Sequence, residues 1–510
     1  MSDFLAWHPS SLKAQELRKD SNHCIKLLGE SPSKAISYLQ KYWSFGLISQ
    51  LWDDHIFNTI IRPVLESMIA QLSEDRIYSC IDWFSELDHS LFLSYIRRTE
   101  DPGRFRTAFW NVNIYGQMLA SRLQSTLLKS SKNKVDAEVN LRESSLRKKI
   151  AFVLKGPFNL AHVEFLVALL SGTKYFEAHV DVHLILLDSG YDPRIPSHVR
   201  VFSLASIAKK TSEKLIKYYE YCDYHSFDSI CWVACAQNLS LYMGMQLCSS
   251  QAYLSMKYHS ILMPTIQKYA GIGSSSIPFN FDTVNWFRGR SFPVLDLRNV
   301  NDTEIERMKG QFFINKDNLV AGCFVRSEKL HDINFWQLII DLLSEFPNLV
   351  FIFASQSVPS HVQEYISLYL ESKRIIHLGW INTKIWSHCL DLYIDSFPRG
   401  SGNTMFEAIF AKVPCLIMDT QENRESSALN YIDSTGISRS LVGITTDKSS
   451  HLSEAKKLIR SLHYRQELAD RQYTVLSRLI NSTHLFAKDY LNYFLDSKYS
   501  LLAPKKSYNQ

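Results

Sequence analysis

The stretch LYIDSFPRGSGNTMFEAIFAKVPCLIM, residues 392–418, contains three segments with different patterns. The apolar runs at 392–394 and 413–418 predict two buried strands. Between them, Gly400 and Gly402 flank a serine at the point where a helix is expected to begin, near Asn403. A strand, a glycine-containing turn, a helix and a second strand together form the repeating unit of a parallel α/β sheet.

Similar apolar runs recur from Lys149 onward, separated by segments of helical length. The first series is KIAFVL, VDVHLILLD, VRVFSL, DSICWVA and AYLSM. After the stretch SIPFNFDTVNWFRGRSFPVLD, the second series is LVAGCFV, LVFIFAS, RIIHLG, LYIDSF and VPCLIM. Continuous apolar strands that alternate with helices indicate a parallel sheet covered on both faces. The predicted fold class is therefore α/β, with two Rossmann-like domains facing each other across a cleft.

The N-terminal region lacks strand-like runs. Segments such as FNTIIRPVLESMIAQLSED place apolar residues at intervals of three and four, which predicts helices. The polar stretch LKSSKNKVDAEVNLRESSLRKK then predicts a linker or an exposed helix. We divide the chain into an all-helical domain at 1–145, a first Rossmann-like domain at 149–300, a second at 311–450, and C-terminal helices at 451–510 that close the fold.

The composition is that of a soluble globular protein, with 46% apolar and 21% charged residues among 510. A formal charge of +5 is small for this length and gives no reason to expect nucleic acid as a partner. Nine scattered cysteines indicate reduced, buried thiols, and we favour this interpretation for Cys231 and Cys235 over half of a metal site. The sequence has neither a signal peptide nor an apolar run of membrane-spanning length, so we expect a cytoplasmic protein.

The loop that ends in the helix at Asn403 has the features of a phosphate-binding turn. Glycines let the backbone approach a ligand closely, and the free N–H groups of a helix start attract an anion. Asn403 and Thr404 add side-chain donors there, and Glu407 follows one turn later on the same face. A carboxylate at that position can accept hydrogen bonds from two vicinal hydroxyls, such as those of a ribose. The alternative is a well-capped helix with an exposed glutamate.

Two more loops follow strands of the same series. Arg326 and Lys329 come after LVAGCFV, and the lysine is placed to neutralise a diphosphate. Trp380 and Asn382 come after RIIHLG and are candidates to frame a nucleotide base. Because ligands of open α/β sheets bind outside the carboxyl ends of the strands, the three loops together predict a nucleotide site. A solvated basic turn is the alternative for the lysine.

The segments FVRSEKL, HLGWINTK and DLYIDSFPRGSGNTMFEAIFAKVP resemble the nucleotide half of GT-B glycosyltransferases, and the resemblance extends more weakly back to Lys149. Within them, the chain resembles the group that joins O-GlcNAc transferase with the cytoplasmic bacterial N-glycosyltransferases of adhesins. That group is inverting, needs no metal or cofactor, and takes a UDP-sugar; its bacterial branch carries an all-helical N-terminal domain. The resemblance implies diphosphate contacts at Lys329 and at the Gly400–Ser401–Gly402 turn with Asn403 and Thr404, and a ribose contact at Glu407.

The resemblance also implies a functional histidine near the start of the helix after the first strand. His162 occupies that position in KGPFNLAHVEFL, where it is a candidate to accept the proton of the acceptor; a helix-capping histidine is the alternative. Asn159 in the same segment is a candidate contact for acceptor or sugar. Lys257 and His259 follow the strand AYLSM, and for them only the general location carries over.

The sequence therefore predicts an inverting, metal-independent transfer of a hexose from a UDP-sugar to a protein side chain or a glycan. Retaining GT-B enzymes commonly carry a glutamate eight positions before the residue matching Glu407, and here that position is Arg399. No Asp-x-Asp metal clamp is present either. Two alternatives remain: a UDP-sugar epimerase of similar fold, and a non-catalytic scaffold whose helical domain binds a partner protein.

We also expect His377, inside a strand, to be buried and hydrogen-bonded.

Overall fold

A computed structural model describes residues 62–97, 102–132, 147–156, 161–233, 239–255, 263–272, 286–289, 300–426, 443–480 and 482–496, with isolated positions between 19 and 58 and between 429 and 439. The described strands form two sheets in which every pairing is parallel. They are β1 (Lys148–Leu154), β2 (Val180–Leu186), β3 (Arg200–Ser203), β4 (Ser229–Val233), β5 (Ser250–Ser255), β6 (Lys268–Ile272), β7 (Trp286–Gly289), β8 (Leu319–Phe324), β9 (Leu349–Ala354), β10 (Ile375–His377), β11 (Leu392–Ile394), β12 (Cys415–Met418) and β13 (Gly443–Thr445).

Helices precede, separate and follow these strands. Those with described bounds are α1 (Arg62–Ala70), α2 (Ile77–Arg97), α3 (Pro102–Lys132), α4 (Ala161–Thr173), α5 (Thr211–His225), α6 (Ser240–Met243), α7 (Asp302–Gln311), α8 (Ile333–Glu345), α9 (Ser360–Ser367), α10 (Thr383–Trp386), α11 (Asn403–Phe410), α12 (Gln421–Ser426), α13 (Lys448–Arg460), α14 (Leu462–Ile480) and α15 (Thr483–Leu495).

The first sheet has the order β3-β2-β1-β4-β5-β6-β7 and the second has the order β10-β9-β8-β11-β12-β13. Each order reverses direction next to the first strand of its domain, as in doubly wound folds. The predicted fold class, two Rossmann-like domains, is confirmed. All ten quoted runs form strands, whereas β6, β7 and β13 were not predicted.

The two faces of the first sheet bury different helices because side chains alternate along each strand. In β1, Ala151 and Val153 contribute to the core shared with α1, α2, α3, α5 and α6. Ile150 and Phe152 contribute to the opposite core, which contains α4 and α15. The described N-terminal helices therefore share one continuous apolar core with the first sheet and do not form a separate core of their own.

A polar seam on α2 also joins the N-terminal helices to the first domain. Asp82 accepts hydrogen bonds from the main-chain N–H of Ser212 at 2.8 Å and from its hydroxyl at 2.9 Å, which caps the start of α5. Asp88, fully buried, accepts from the hydroxyl of Ser240 at 3.0 Å. Close packing completes the contact, since a Cβ on Gly116 of α3 would overlap the Ser240 side chain.

The C-terminal helices divide between the two domains. Helix α13 begins at Lys448, slightly before the predicted boundary at 451, and packs with α14 on the second domain. Helix α15 returns to the first domain, where Phe486 and Tyr490 pack edge-on against Phe165 of α4 with ring centroids 4.8 and 5.8 Å apart. The last described helix, α15, is therefore part of the core of the first domain, although it follows the second domain in sequence.

Candidate active site

Strands β8 and β11 are neighbours in the second sheet, so the loops that follow them meet at its carboxyl edge. The turn Ser327–Lys329 follows β8, and the loop 395–402 follows β11. The ammonium group of Lys329 donates a hydrogen bond to the main-chain carbonyl of Gly400. The structure thus brings together the predicted lysine and the glycine-containing loop, although 71 residues separate them.

The 395–402 loop is held from its buried side by two polar side chains. The main-chain N–H of Ser401 donates to Asp395 Oδ1 at 2.7 Å, and that of Gly400 donates to Asn423 Oδ1 at 2.6 Å. Asn423 is itself fixed by a 2.9 Å bond from its Nδ2 to the carbonyl of Met418. These bonds set the path of the backbone before any ligand arrives.

Asp395 is an unusual group for this position because it is fully buried. Burial raises its pKa to about 6, although the N–H of Ser401 and the nearby ammonium of Lys329 both favour the charged form. A Cβ on Gly400 would overlap Asp395 Oδ2 and lie 2.8 Å from Asn423 Oδ1. Glycine is therefore required at 400 by close approach to these two side chains.

Helix α11 begins after Gly402, which offers no capping side chain. The N–H groups of the first helical turn have no acceptor within the helix, and the positive end of the helix dipole points the same way. Gly402, Asn403 and Thr404 are all half-exposed, so this end is open to a ligand rather than sealed by packing. The arrangement can hold an anionic group between the helix start and Lys329.

Thr404 has a structural bond that sequence reasoning did not anticipate. Its hydroxyl donates to the carbonyl of Phe324 at 2.7 Å and lies 3.2 Å from the hydroxyl of Tyr393. The side chain therefore joins the start of α11 to the end of β8. Its main-chain N–H is the group left to face an anion at the helix start.

Glu407 lies one turn into α11 and is half-buried, with Oε2 shielded from solvent and without a hydrogen-bond partner among the described residues. Burial raises the pKa of this carboxyl; a hydrogen bond from the Thr383 side chain and the charge of Lys384 oppose the shift, and the charge of Glu164 adds to it. Thr383 and Lys384 belong to α10 of the second domain, whereas Glu164 belongs to α4 of the first. Because Lys384 is hydrogen-bonded to Glu164 and α10 packs against α11, Glu407 lies close to the boundary between the domains.

The loop after β10 contains two residues predicted to frame a nucleotide base, Trp380 and Asn382, and their side chains have different surroundings. The indole of Trp380 is 86% exposed, and the side chain of Asn382 caps α10 by accepting from the N–H of Lys384 at 3.2 Å. His377 corrects an expectation: it is hydrogen-bonded, with Nε2 3.0 Å from the carbonyl of Ser355, but it is exposed rather than buried. It ends the edge strand β10, so one side of its ring faces solvent.

Two arginines at this edge are on the surface. Arg326 pairs with Glu328 at 2.9 Å, and both side chains are more than half exposed. Arg399 is exposed as well, and its carbonyl accepts a 2.8 Å bond from the hydroxyl of Ser396. Between the two cations that follow β8, the described contacts join only Lys329 to the 395–402 loop.

The predicted residues of the first domain lie largely outside the described part of the chain. Asn159, Lys257 and His259 lie outside the described residues. His162 is the second residue of α4, at the carboxyl end of β1, but its side chain is not described. Its place on the helix agrees with the predicted one.

Sequence reasoning missed several residues that shape the site: Asp395, Asn423, Glu164 and Lys384. Asp395 carried a signal, since it directly follows a buried strand, at the end of the sheet where ligands of open α/β sheets bind. The other three act across distances in sequence that no local pattern marks.

The described residues contain no group of three or more His, Cys, Asp or Glu side chains arranged to hold a metal ion. Within the same residues, every helix is too short or too polar to cross a bilayer.

The amino-acid sequence matches no protein-family model and no curated protein sequence. The structure is similar to that of a Thermobaculum terrenum O-GlcNAc transferase mutant, with a TM-score of 0.51 and 14% identity over 96% of this chain and 99% of the other. This likeness shows the fold: the chain has the GT-B architecture of glycosyltransferases, as the sequence predicted.

Two further solved structures are more distant. Anabaena Alr3699/HepE in complex with UDP and glucose has a TM-score of 0.44 and 15% identity over 68% of this chain and all of the other. A glycosyltransferase from Rickettsia africae has a TM-score of 0.46 and 12% identity over 69% of this chain and 99% of the other.

Proposed function

We propose that this protein is a glycosyltransferase that moves a hexose from a UDP-sugar to a protein side chain or a glycan. The observation that carries the proposal is the position of Glu407. One of its oxygens is shielded and has no hydrogen-bond partner among the described residues, one helical turn from the start of α11, and Lys329 is bonded to the glycine-containing loop that leads into this helix. An oxygen left without a partner in such a place is costly unless a ligand supplies the donor. A ribose diol beside a diphosphate supplies it.

In the proposed reaction, the bond between the anomeric carbon and the β-phosphate oxygen breaks, and the electron pair leaves with UDP. Lys329 and the N–H groups at the start of α11 stabilise the charge that develops on that oxygen. They are already fixed, because Asp395 and Asn423 hold the 395–402 loop in place. The nucleophile of the acceptor forms the new bond to the anomeric carbon, and His162 takes its proton.

Inversion without a metal or other cofactor is part of the proposal. It is supported by Arg399, which stands where retaining relatives carry a glutamate and whose side chain is exposed. It is also supported by the protein groups available for the leaving group, namely one ammonium and a helix start. We assign the acceptor to the first domain and the N-terminal helices, which share one core, and place the reaction in the cytoplasm.

The experiment is a thermal-shift panel of UDP- and GDP-sugars, followed by product analysis with the best binder. A UDP-sugar should raise the Tm, because a ligand that binds the native state stabilises it. UDP release that depends on an added acceptor supports the transferase. Formation of UDP-ManNAc from UDP-GlcNAc alone would identify an epimerase instead, and the absence of any shift with UDP-sugars would indicate a non-catalytic scaffold.

A further inference from the structure

An ion pair joins the two Rossmann-like domains at the edge of the candidate site. The ammonium of Lys384, in α10, donates to Glu164 Oε1, in the first turn of α4, at 2.9 Å. The residues are 220 positions apart in sequence, and their side chains are only 24% and 17% exposed. The pair therefore spans the domain boundary in a partly shielded place, where charges interact more strongly than on an open surface.

The pair belongs to a row of alternating charges. Asp192 binds Arg194 at 3.0 Å, and Arg194 lies 3.9 Å from the same Glu164 oxygen that Lys384 binds. Helix α10 also packs against α11, and the charges of both Lys384 and Glu164 act on the carboxyl of Glu407. Lys384 is thus a cation that pairs with a carboxylate of the first domain and favours the charged form of Glu407.

We propose that Glu164 and Lys384 are positioning residues that hold the domains together at this edge and keep Glu407 ready to accept hydrogen bonds from a ribose. The proposal rests on the proposed function. Without Lys384, the charge of Glu164 acts on the Glu407 carboxyl with no opposing cation from α10. Without Glu164, Lys384 is free to pair with Glu407 alone.

Three other elements pack against α11 and carry different groups. The turn 387–389, which also packs on α11, carries His388, and burial lowers the pKa of its imidazole. Helix α14 contacts the far end of α11 through Tyr473, whose ring centroid is 5.5 Å from that of Phe410. Strand β12 contributes the buried thiol of Cys415. Among the described groups that influence the Glu407 carboxyl, Lys384 is the cation and Glu164 the other anion.

The proposal predicts opposite shifts, in the two single variants, of the pH at which UDP affinity is lost. A ribose diol donates to the carboxylate, so UDP affinity should fall as Glu407 becomes protonated. Lys384→Met removes the favourable cation and should move that loss to higher pH, whereas Glu164→Gln removes the unfavourable anion and should move it to lower pH. The double variant should fall between them. A purely structural contact would weaken binding equally at every pH.

The test is a calorimetric titration of UDP into the full chain between about pH 8 and about pH 5, the range in which shielded carboxyl groups titrate. We expect Lys384→Met to lose roughly tenfold more affinity than the wild type over this range, equivalent to about 1.4 kcal/mol. Lys316→Met is the matched control, because Lys316 pairs with Glu306 at 2.7 Å on the exposed surface of one domain. Equal pH profiles for the wild type and both single variants would overturn the proposal.

A second measurement needs no nucleotide. If the pair holds the domains together, Lys384→Met and Glu164→Gln should each increase the radius of gyration measured by X-ray scattering, and Lys316→Met should not. Wild-type protein that binds no UDP overturns the proposed function, and scattering then decides the positioning role by itself. Wild-type protein that binds UDP, with unchanged scattering and pH profiles in the variants, overturns this inference alone.

Discussion

The main-chain N–H of Ser401 donates a 2.7 Å hydrogen bond to the buried Oδ1 of Asp395, and this bond shapes the loop that leads into helix α11. A buried carboxylate with such a role is a device for preorganisation, because the anion site is then formed before the ligand binds. Preorganised donors stabilise charge that develops in a reaction better than donors that must reorient.

Gly400→Ala should weaken UDP binding. An added Cβ would overlap Asp395 Oδ2, so the 395–402 loop must move away from the carboxylate. We expect at least a tenfold loss of UDP affinity by calorimetry, about 1.4 kcal/mol. Gly190→Ala is the control, since nothing lies within 4 Å of a Cβ built there. Unchanged affinity in Gly400→Ala would show that the path of this loop does not determine binding.

Asp395 should also make the stability of the second domain depend on pH between about 4 and about 6. Its pKa is raised from 3.8 to about 6 by burial, so the folded state holds this proton more tightly than the unfolded state does. The associated stability is complete below the unfolded value and is lost as pH rises towards about 6. Asp395→Asn cannot lose that stability. The Tm of the variant relative to wild type should therefore rise between these pH values and then level off; parallel Tm curves would contradict this account.

The fold class could be predicted from the sequence because most strands and helices have recognisable local patterns of apolar residues. Runs such as LVFIFAS are apolar at every position, as buried parallel strands must be. The three strands that were missed, β6, β7 and β13, have sequences KYAGI, WFRG and GIT. They are short and contain glycine or charged residues, and their places at the ends of the sheets come from tertiary pairing rather than from pattern.

The candidate site was only partly predictable for the same reason. Gly400 and Glu407 stand out because helix starts have a local signature. The contact between Lys384 and Glu164 joins residues 220 positions apart and appears only when the domains are assembled. Thr404 shows the converse, because a residue with the right signature has its hydroxyl bonded to the Phe324 carbonyl.

Lys329→Met should impair the anion site without destabilising the fold. Methionine keeps much of the length of the stem but loses the ammonium that reaches the Gly400 carbonyl. We expect transfer activity with a UDP-sugar to fall by at least about a hundredfold, since removal of one preorganised donor usually has an effect of that size. The Tm should stay close to that of Lys316→Met, a surface control. Unimpaired turnover would remove Lys329 from the mechanism.

Gly116→Ala should weaken the attachment of the N-terminal helices to the first domain. A Cβ there would overlap Ser240, which also donates to the buried Asp88. Forcing atoms into such a close contact destabilises by about 1–3 kcal/mol, so the Tm should fall. Gly310→Ala is the matched control: it lies in α7 with nothing within 4 Å of its Cβ, and alanine favours the helix. Equal Tm values for the two variants would contradict the close packing of α3 and α6.

Glu407→Gln should change which nucleotides the protein distinguishes. If the carboxylate accepts hydrogen bonds from both ribose hydroxyls, the wild type should bind UDP more tightly than 2′-deoxy-UDP. A hydrogen bond to a charged group contributes about 1.5–3 kcal/mol, so the ratio of affinities should be roughly tenfold to a hundredfold. In Glu407→Gln the acceptor is neutral and one oxygen is replaced by a donor, so the ratio should shrink towards one, while Glu306→Gln, an exposed control, should keep it. Calorimetry with the two nucleotides on the three proteins measures this coupling directly, and a ratio that is the same in all three would place the ribose away from Glu407.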